Sequence, residues 1–178
     1  MGRIQDDALA ALDLDPRDRL LDVGCGTGGA VRRAAAFVER AVGLDVSPGM
    51  IERAQSWPDL PPNVEFLVGE AGRLPVNDGE FTALVCTSSF HHYPDPEAAL
   101  AEMARALAPG GRIVIADGCA DSRAARIADV FLRAFERSHV RLYRSAELGE
   151  MLRHAGFASL QSRWLWDGGF MFLRGVKA

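Results

Sequence analysis

The stretch that decides the fold is "RLLDVGCGTGGAV", residues 19–31, in which a short apolar run leads directly into a glycine-rich turn. Gly24, Gly26 and Gly29 satisfy GxGxxG, whereas Gly24, Gly26 and Gly28 satisfy GxGxG. A strand that ends in such a turn and continues as a helix presents backbone N–H groups and a helix dipole to a ligand. The stretch therefore predicts an α/β fold with a ligand at this turn, and the glycine spacing alone leaves that ligand open.

The rest of the chain predicts one domain, residues 1–178, with residues 1–18 as a short helical lead-in. Predicted helices cover 5–12, 30–38, 48–56, 96–107, 127–135 and 146–155, and they alternate with the strands "RAVGLD", "VEFLVG", "FTALVC" and "RIVIAD". The last segment, "FASLQSRWLW" then "DGG" then "FMFLRGVK", is typical of an antiparallel hairpin. We expect a mostly parallel sheet with helices on both faces and one antiparallel strand near an edge.

Composition excludes several classes of protein. Apolar residues make up 48% and charged residues 25%, and the opening "MGRIQDDALAAL" carries acids where a signal peptide has a basic end, so we expect a cytoplasmic protein without a membrane span. The net charge of -4 argues against binding to a nucleic-acid backbone. Three scattered cysteines fit neither a disulfide framework nor a metal pattern, so no metal site is predicted.

Two aspartates bear on the ligand. Asp45 lies at the end of the second strand, 21 residues beyond Gly24, where an acid accepts hydrogen bonds from ribose hydroxyls; capping of the next helix is the alternative, although Ser47 already holds the capping position. Asp22 precedes the first glycine inside an apolar strand, where an amino-acid ammonium would stabilise its carboxylate and a pyrophosphate would be repelled. The short chain and the terminal hairpin also disfavour a nicotinamide dinucleotide.

Five consecutive segments carry a family resemblance: "LLDVGCGTG", "GLDVSPGMIERA", "VGEAGRLPVNDGEF", "SFHHYPDPEAALAEMARALAPGGRIVI" and "LRHAGF". From about residue 19 to the C-terminus the chain resembles class I S-adenosylmethionine-dependent methyltransferases, in particular type 11, which are similar to ubiquinone/menaquinone biosynthesis methyltransferases. The resemblance implies a Rossmann-like, doubly wound seven-stranded sheet of order 3-2-1-4-5-7-6. It also implies S-adenosylmethionine as cofactor and S-adenosylhomocysteine as product.

The resemblance assigns a role to each matching residue. The methionine portion of the cofactor would contact Asp22, Gly24, Gly26, Gly28, Thr87 and Ser88; the ribose would bind Asp45; and the adenine would lie near Val46, Met50, Glu70 and Ala71. The family usually has Asp where Glu70 stands, so the adenine contact must absorb an extra methylene. The segments that enclose the substrate in many members are short here, so the acceptor pocket is expected to be open or completed by another subunit.

His91 and His92 follow the fourth strand, at the sheet edge where the site is expected, and they are the candidate catalytic residues. Histidine suits proton transfer near neutral pH, because its ordinary pKa lies near 6.5. Packing or substrate positioning by the same pair is the alternative. Tyr93 is a further pocket candidate that core packing would equally explain.

Two other features suggest partners. Residues 123–144 contain six arginines, of which Arg126, Arg133 and Arg137 lie opposite an apolar stripe. That arginine face is expected to be solvated or, if it overhangs the pocket, to favour an anionic acceptor. Trp164 and Trp166 would mark a homodimer surface if they share one face of the sheet.

The sequence thus predicts S-adenosylmethionine-dependent methyl transfer to a small molecule, with the acceptor atom undetermined. A cofactor-binding module without catalysis and a nicotinamide-binding protein are the alternatives.

Overall fold

A seven-stranded sheet runs through the computed structural model, which describes residues 2–136 and 139–178. The strands are β1 (Arg19–Val23), β2 (Arg40–Asp45), β3 (Val64–Val68), β4 (Phe81–Thr87), β5 (Leu107–Gly118), β6 (Phe157–Leu165) and β7 (Phe170–Lys177). The helices are α1 (Gly2–Leu12), α2 (Gly29–Ala34), α3 (Pro48–Gln55), α4 (Pro96–Ala106), α5 (Arg123–Phe135) and α6 (Ser145–His154). Two 3-10 turns, Phe90–His92 and Trp166–Gly168, complete the described elements.

The strand order is β3-β2-β1-β4-β5-β7-β6, as the resemblance implied. The first five strands in this order pair in parallel, and β7 runs antiparallel to both of its neighbours, β5 and β6. Parallel strands end at the same edge of a sheet, so the residues that follow β1, β2, β3, β4 and β5 meet at one carboxyl edge.

Each face of the sheet buries an apolar cluster. One face packs against α4 and α6 through residues such as Leu100, Met103 and Leu152, and the other packs against α1, α2 and α3. The strands in the middle of the order are almost continuously buried, as expected when helices cover both faces.

Several predicted helix signals are confirmed. The Ser47 hydroxyl caps α3 by accepting a hydrogen bond from the Met50 N–H, and the Asp95 carboxylate caps α4 by accepting from the Ala98 N–H. Gly156, with φ of 92°, ends α6 in the left-handed conformation.

Several predicted element ends and turns are wrong; α1 begins at Gly2 instead of residue 5, and α5 begins at Arg123 instead of residue 127. The helix α2 ends at Ala34 instead of residue 38, because the chain must turn for the Glu39 N–H to reach the Asp18 carbonyl, 2.9 Å away, before β2 begins. The helix α4 ends at Ala106, since Leu107 already pairs with Phe81 in the sheet. The hairpin turns through a 3-10 turn at Trp166–Gly168 instead of a two-residue Asp-Gly turn.

The predicted orientation of α5 is also wrong. Its apolar residues face outward, with Ile127 60%, Phe131 59% and Phe135 84% exposed, whereas Asp129 is buried. The predicted arginine face is solvated at Arg133, whose side chain is 48% exposed, and it also makes contacts: the Arg126 guanidinium donates to the carbonyls of Ala120 and Asp121, and that of Arg133 donates to Asp129. Arg137 lies outside the described residues.

The two exposed tryptophans make separate contacts. The Trp164 indole donates to the Asp121 carboxylate at 3.0 Å, whereas the Trp166 ring packs edge-on against Phe170 in the turn beyond β6. None of the described helices combines the length and the apolar character needed to cross a membrane.

Candidate functional site

The glycine turn after β1 lies at the carboxyl edge of the sheet, and each glycine serves it differently. Gly24 and Gly28 have φ of 79° and 77°, and a Cβ there would come within 1.8 Å of the Ser89 hydroxyl and 2.4 Å of the Phe66 ring. At Gly26, with φ of 54°, a Cβ would meet nothing within 4 Å. Packing thus requires Gly24 and Gly28, while the Gly26 backbone borders open space that a ligand could approach closely.

Asp45 connects this turn to the end of β2. Its carboxylate accepts from the Gly26 N–H at 2.8 Å and from the Ser47 N–H at 2.9 Å, and its side chain is half-buried. The alternative role as a helix cap is excluded, because the Ser47 hydroxyl caps α3. Since a carboxylate has about four acceptor positions, Asp45 keeps capacity for ribose hydroxyls.

Asp22 is a buried acid with incomplete hydrogen bonding. It is 1% exposed, and its Oδ1 atom has no hydrogen-bond partner among the described residues. Burial, with the charge of Asp45 added, raises the pKa of Asp22 to about 7. Cys25, Cys86 and Tyr93 also interact electrostatically with Asp22, and all of these groups are acids. The arrangement suits a cationic ligand group, which would supply the missing donor and counter the charge.

The predicted adenine contacts lie at the rim of the same edge. Val46 and Met50 are 65% and 38% exposed, and Glu70 is exposed after β3. The Gly69 N–H donates to the Asp45 backbone carbonyl at 3.0 Å. Glu70 and Ala71 come next in the chain, so they lie near the end of β2. The structure therefore brings the residues predicted for ribose and adenine to neighbouring strand ends.

Thr87 and Ser88 close the site on the β4 side. Thr87 is buried, and Ser88 has a left-handed φ of 51° while its N–H donates to the Ala116 carbonyl at 2.8 Å. A residue other than glycine in this conformation is uncommon and tends to occur at functional sites.

A hydrogen-bond network around Tyr93, the further pocket candidate, supports the glycine turn, and its other side chain, Ser89, was not predicted. The Tyr93 hydroxyl donates to the Val23 carbonyl at 3.0 Å and lies 2.8 Å from the Ser89 hydroxyl. The Ser89 hydroxyl occupies the position where a Cβ of residue 24 would lie. Tyr93 thus holds the last residue of β1 in place. Its only sequence signal was its position after the predicted fourth strand.

His91 is tied to an aspartate that sequence reasoning also missed. Asp117, at the end of β5 and 2% exposed, lies with Oδ1 2.7 Å from His91 Nδ1, and its Oδ2 accepts from the His91 N–H at 3.0 Å. Burial acts to lower the pKa of His91, but the hydrogen bond and charge of Asp117 outweigh it and raise that pKa above 6.5. An acid inside the apolar run "RIVIAD", comparable to Asp22 in "RLLDV", was the available signal.

Two more histidines surround His91. The ring centroid of His92 is 3.9 Å from that of His91, and the centroid of His139 is 5.3 Å away. His139 is buried and its Nε2 lies 2.7 Å from an oxygen of Asp129 on α5. Within the described residues, no group of three or more His, Cys, Asp or Glu side chains has the arrangement of a metal site.

Similarity to known proteins identifies the class to which this protein belongs. A family model described as a methyltransferase domain matches residues 21–115. Demethylmenaquinone methyltransferase of Clavibacter sepedonicus is 32% identical over 90% of this chain and 74% of that protein. The O-methyltransferase cnsE of Penicillium expansum is 35% identical over 79% of this chain and 52% of that protein. The solved structure of the YcgJ protein of Bacillus subtilis aligns over 99% of both chains with a TM-score of 0.87 and 20% identity.

The strand order and the family match define the class of S-adenosylmethionine-dependent, Rossmann-like methyltransferases. The chain belongs to the methyltransferase-domain family. It spans about half the length of several of the curated relatives it matches.

Proposed function

We propose that this protein transfers the methyl group of S-adenosylmethionine to a hydroxyl group of a small molecule. The observation that carries the proposal is the orphaned, buried oxygen of Asp22 beside the open Gly26 backbone. This pair suits a ligand that has a cationic amino-acid end, and it would repel the pyrophosphate of a nicotinamide dinucleotide.

The cofactor fits the residues along the carboxyl edge. Asp22 would accept a hydrogen bond from the ammonium group of the cofactor, and Asp45 would accept from its ribose hydroxyls. The backbone of the Gly24–Gly28 turn would lie against the cofactor. Glu70 and Ala71 would face the adenine, with Val46 and Met50 at its rim. Thr87 and Ser88 would border the methionine end.

His91 supplies the proton chemistry in this proposal. The bound cofactor brings a methyl group on a positively charged sulfur, an electrophile that needs no activation by the protein. Because Asp117 holds Nδ1, we expect His91 to take the acceptor's hydroxyl proton at Nε2, and Asp117 then stabilises the imidazolium. His92, stacked on His91, is the second candidate for the same role.

A hydroxyl acceptor is favoured by two lines of support. A histidine paired with a carboxylate is useful where a weakly acidic group must lose a proton. The relative from Penicillium expansum is named an O-methyltransferase, which supports a hydroxyl acceptor for this chain also.

Calorimetric titration with S-adenosylhomocysteine tests the cofactor half. We expect binding that tightens about tenfold per unit as the pH rises from 5.5 toward 7, because the neutral form of Asp22 must lose its proton before it can pair with an ammonium. The Asp22→Asn variant should bind weakly and without this pH dependence. Absence of binding at millimolar ligand, or tight binding of NADH instead, would contradict the proposal.

A panel of hydroxylated aromatics matched by the corresponding amines tests the acceptor half, with released S-adenosylhomocysteine as the readout. Transfer to hydroxyl compounds that falls at least about 100-fold in His91→Gln supports the assigned chemistry. Transfer to the amines alone contradicts the hydroxyl assignment. Tight cofactor binding with no transfer to any compound would favour a binding module without catalysis.

We also infer a cytoplasmic setting, supported by three buried free cysteines, which fit a reducing compartment. A homodimer stays a prediction, and light scattering coupled to gel filtration tests it directly.

A further inference from the structure

The surroundings of His91 come from three separate parts of the chain. Asp117 contacts its ring and its backbone from β5. The segment that follows α5 contacts its backbone, because the N–H groups of Val140 and Arg141 both donate to the His91 carbonyl, at 2.9 and 3.3 Å. This segment brings the His139 ring to 5.3 Å from the His91 ring.

Asp129 holds this segment in place. One of its carboxylate oxygens lies 2.7 Å from His139 Nε2 and 2.7 Å from the Leu142 N–H, and the other accepts from the Arg133 guanidinium. It is the buried residue of α5, whose apolar side chains are exposed. Asp129 therefore joins α5 to the segment beside His91 through two donors outside the helix, the His139 ring and the Leu142 N–H.

Resting on the proposed role of His91 as proton acceptor, we propose that Asp117 and the His139–Asp129 pair are positioning residues, so that His91 is held for proton transfer only while α5 is docked through Asp129. Asp117 fixes the ring nitrogen that carries the proton, because a carboxylate within hydrogen-bond reach of Nδ1 selects the Nδ1–H tautomer. His139 packs against the ring that Asp117 orients.

The charges that act on His91 agree with this arrangement. Besides Asp117, those of Glu136 and Asp129 favour its protonated form, and both residues belong to α5 or its end. His92 and His139 are the titratable rings in contact. Undocking of α5 would remove two of these three carboxylates from the vicinity of His91.

Nuclear magnetic resonance of the histidine side chains tests the proposal without cofactor or acceptor. The chain has four histidines, so four His→Gln variants assign the signals. In the wild type we expect His91 to titrate above 6.5 and, when neutral, to show the Nδ1–H tautomer in its nitrogen shifts. A neutral His91 in the Nε2–H form would overturn the proposal, and this result needs only the wild-type protein and the signal assignment.

Variants of Asp117 and of Asp129 test the two parts of the proposal separately. Asp117→Asn should lower the pKa of His91 by about 1 to 3 units and mix its tautomers. Asp129→Asn should lower the pKa of His91, and Asp129→Glu should restore it. The matched control Glu150→Gln, an exposed glutamate of α6, should leave that pKa unchanged. An unchanged pKa and tautomer in Asp117→Asn, or a pKa unchanged in Asp129→Asn, overturns the corresponding half.

The proposed function fails separately. Cofactor binding and methyl transfer are measured by calorimetry and product release, and the histidine titration depends on neither. Loss of cofactor binding with the expected titrations would contradict the function and leave the positioning network in place. Normal methyl transfer without the expected titrations would contradict the positioning network and leave the proposed function in place.

Discussion

The helices α4 and α5 share a sequence pattern and differ in what they bury. Both are amphipathic, both begin at a capping side chain, Asp95 or Ser122, and both have an arginine in the last turn. The helix α4 buries Leu100 and Met103 against the sheet, whereas α5 exposes its apolar stripe and buries an aspartate. An amphipathic pattern therefore predicts that a helix forms, but it does not predict which side of the helix faces the protein.

The difference follows from the place of each helix in the fold. The helix α4 connects two parallel strands and must lie on the face of the sheet, where apolar residues are available. The helix α5 follows the carboxyl end of β5, where the chain presents backbone groups and the His91 site. Two donors from the segment after α5, the His139 ring and the Leu142 N–H, bond to one oxygen of the Asp129 carboxylate there, and a hydrogen bond to a charged group contributes about 1.5–3 kcal/mol.

The largest expected effect is a difference in the free energy of unfolding between a variant in the apolar stripe of α4 and one in the apolar stripe of α5. Met103→Ala should lower the free energy of unfolding by about 2–5 kcal/mol, because it leaves a cavity in the core. Phe131→Ala in α5 should change it by no more than about 0.5 kcal/mol, since the ring is 59% exposed. Urea denaturation measures both. Equal losses in the two variants would show that another surface covers the α5 stripe in solution.

The second prediction concerns the polar attachment of α5. Asp129→Asn weakens the bonds from His139, Leu142 and Arg133, which should cost about 1–3 kcal/mol of local stability. Hydrogen exchange followed by mass spectrometry should show α5 exchanging about 10- to 100-fold faster, with α4 unchanged. The exposed Glu150→Gln serves as control. Faster exchange in α4 as well would mean that the two helices open together.

The third prediction uses pH. Burial raises the pKa of Asp129, but the hydrogen bonds from His139 and Leu142 and the charge of Arg133 outweigh it, so the folded pKa lies below the ordinary 3.8. The stabilisation is therefore present above pH 3.8 and is lost as the pH falls through that lower value. Exchange rates corrected for intrinsic pH effects should rise first in α5. If α4 opens at higher pH than α5, apolar contacts hold α5 after all.

The smallest expected effect concerns Arg133. Its side chain is 48% exposed, so its ion pair with Asp129 should contribute at most about 1 kcal/mol. Arg133→Gln should raise exchange in α5 by less than about fivefold, and added salt should reduce the difference between the variant and the wild type. An effect as large as that of Asp129→Asn would mean that the Arg133–Asp129 pair within the helix, and not the bonds from His139 and Leu142, determines how readily α5 opens.

The positions of the residues proposed to bind the cofactor were largely predictable because their signals are local. Asp22, Gly24 and Asp45 lie at strand ends that hydrophobic periodicity and glycine spacing identify, and the structure brings all three to one edge. The acceptor side was less predictable. Asp117 meets His91 only through the pairing of β4 with β5, and the two residues are 26 positions apart in the chain.

The sequence by itself determined the alternation of strands and helices, the glycine turn and the acids beside it, since each depends on backbone conformation and on the spacing of nearby residues. Tertiary structure alone decided the orientation of α5, the burial of Asp129 and the pairs that hold His91. Burying a carboxylate is favourable only where several donors converge on it. Arg133 lies one helical turn from Asp129, and folding of the segment against His91 brings the donors of residues 139 and 142 to the same carboxylate.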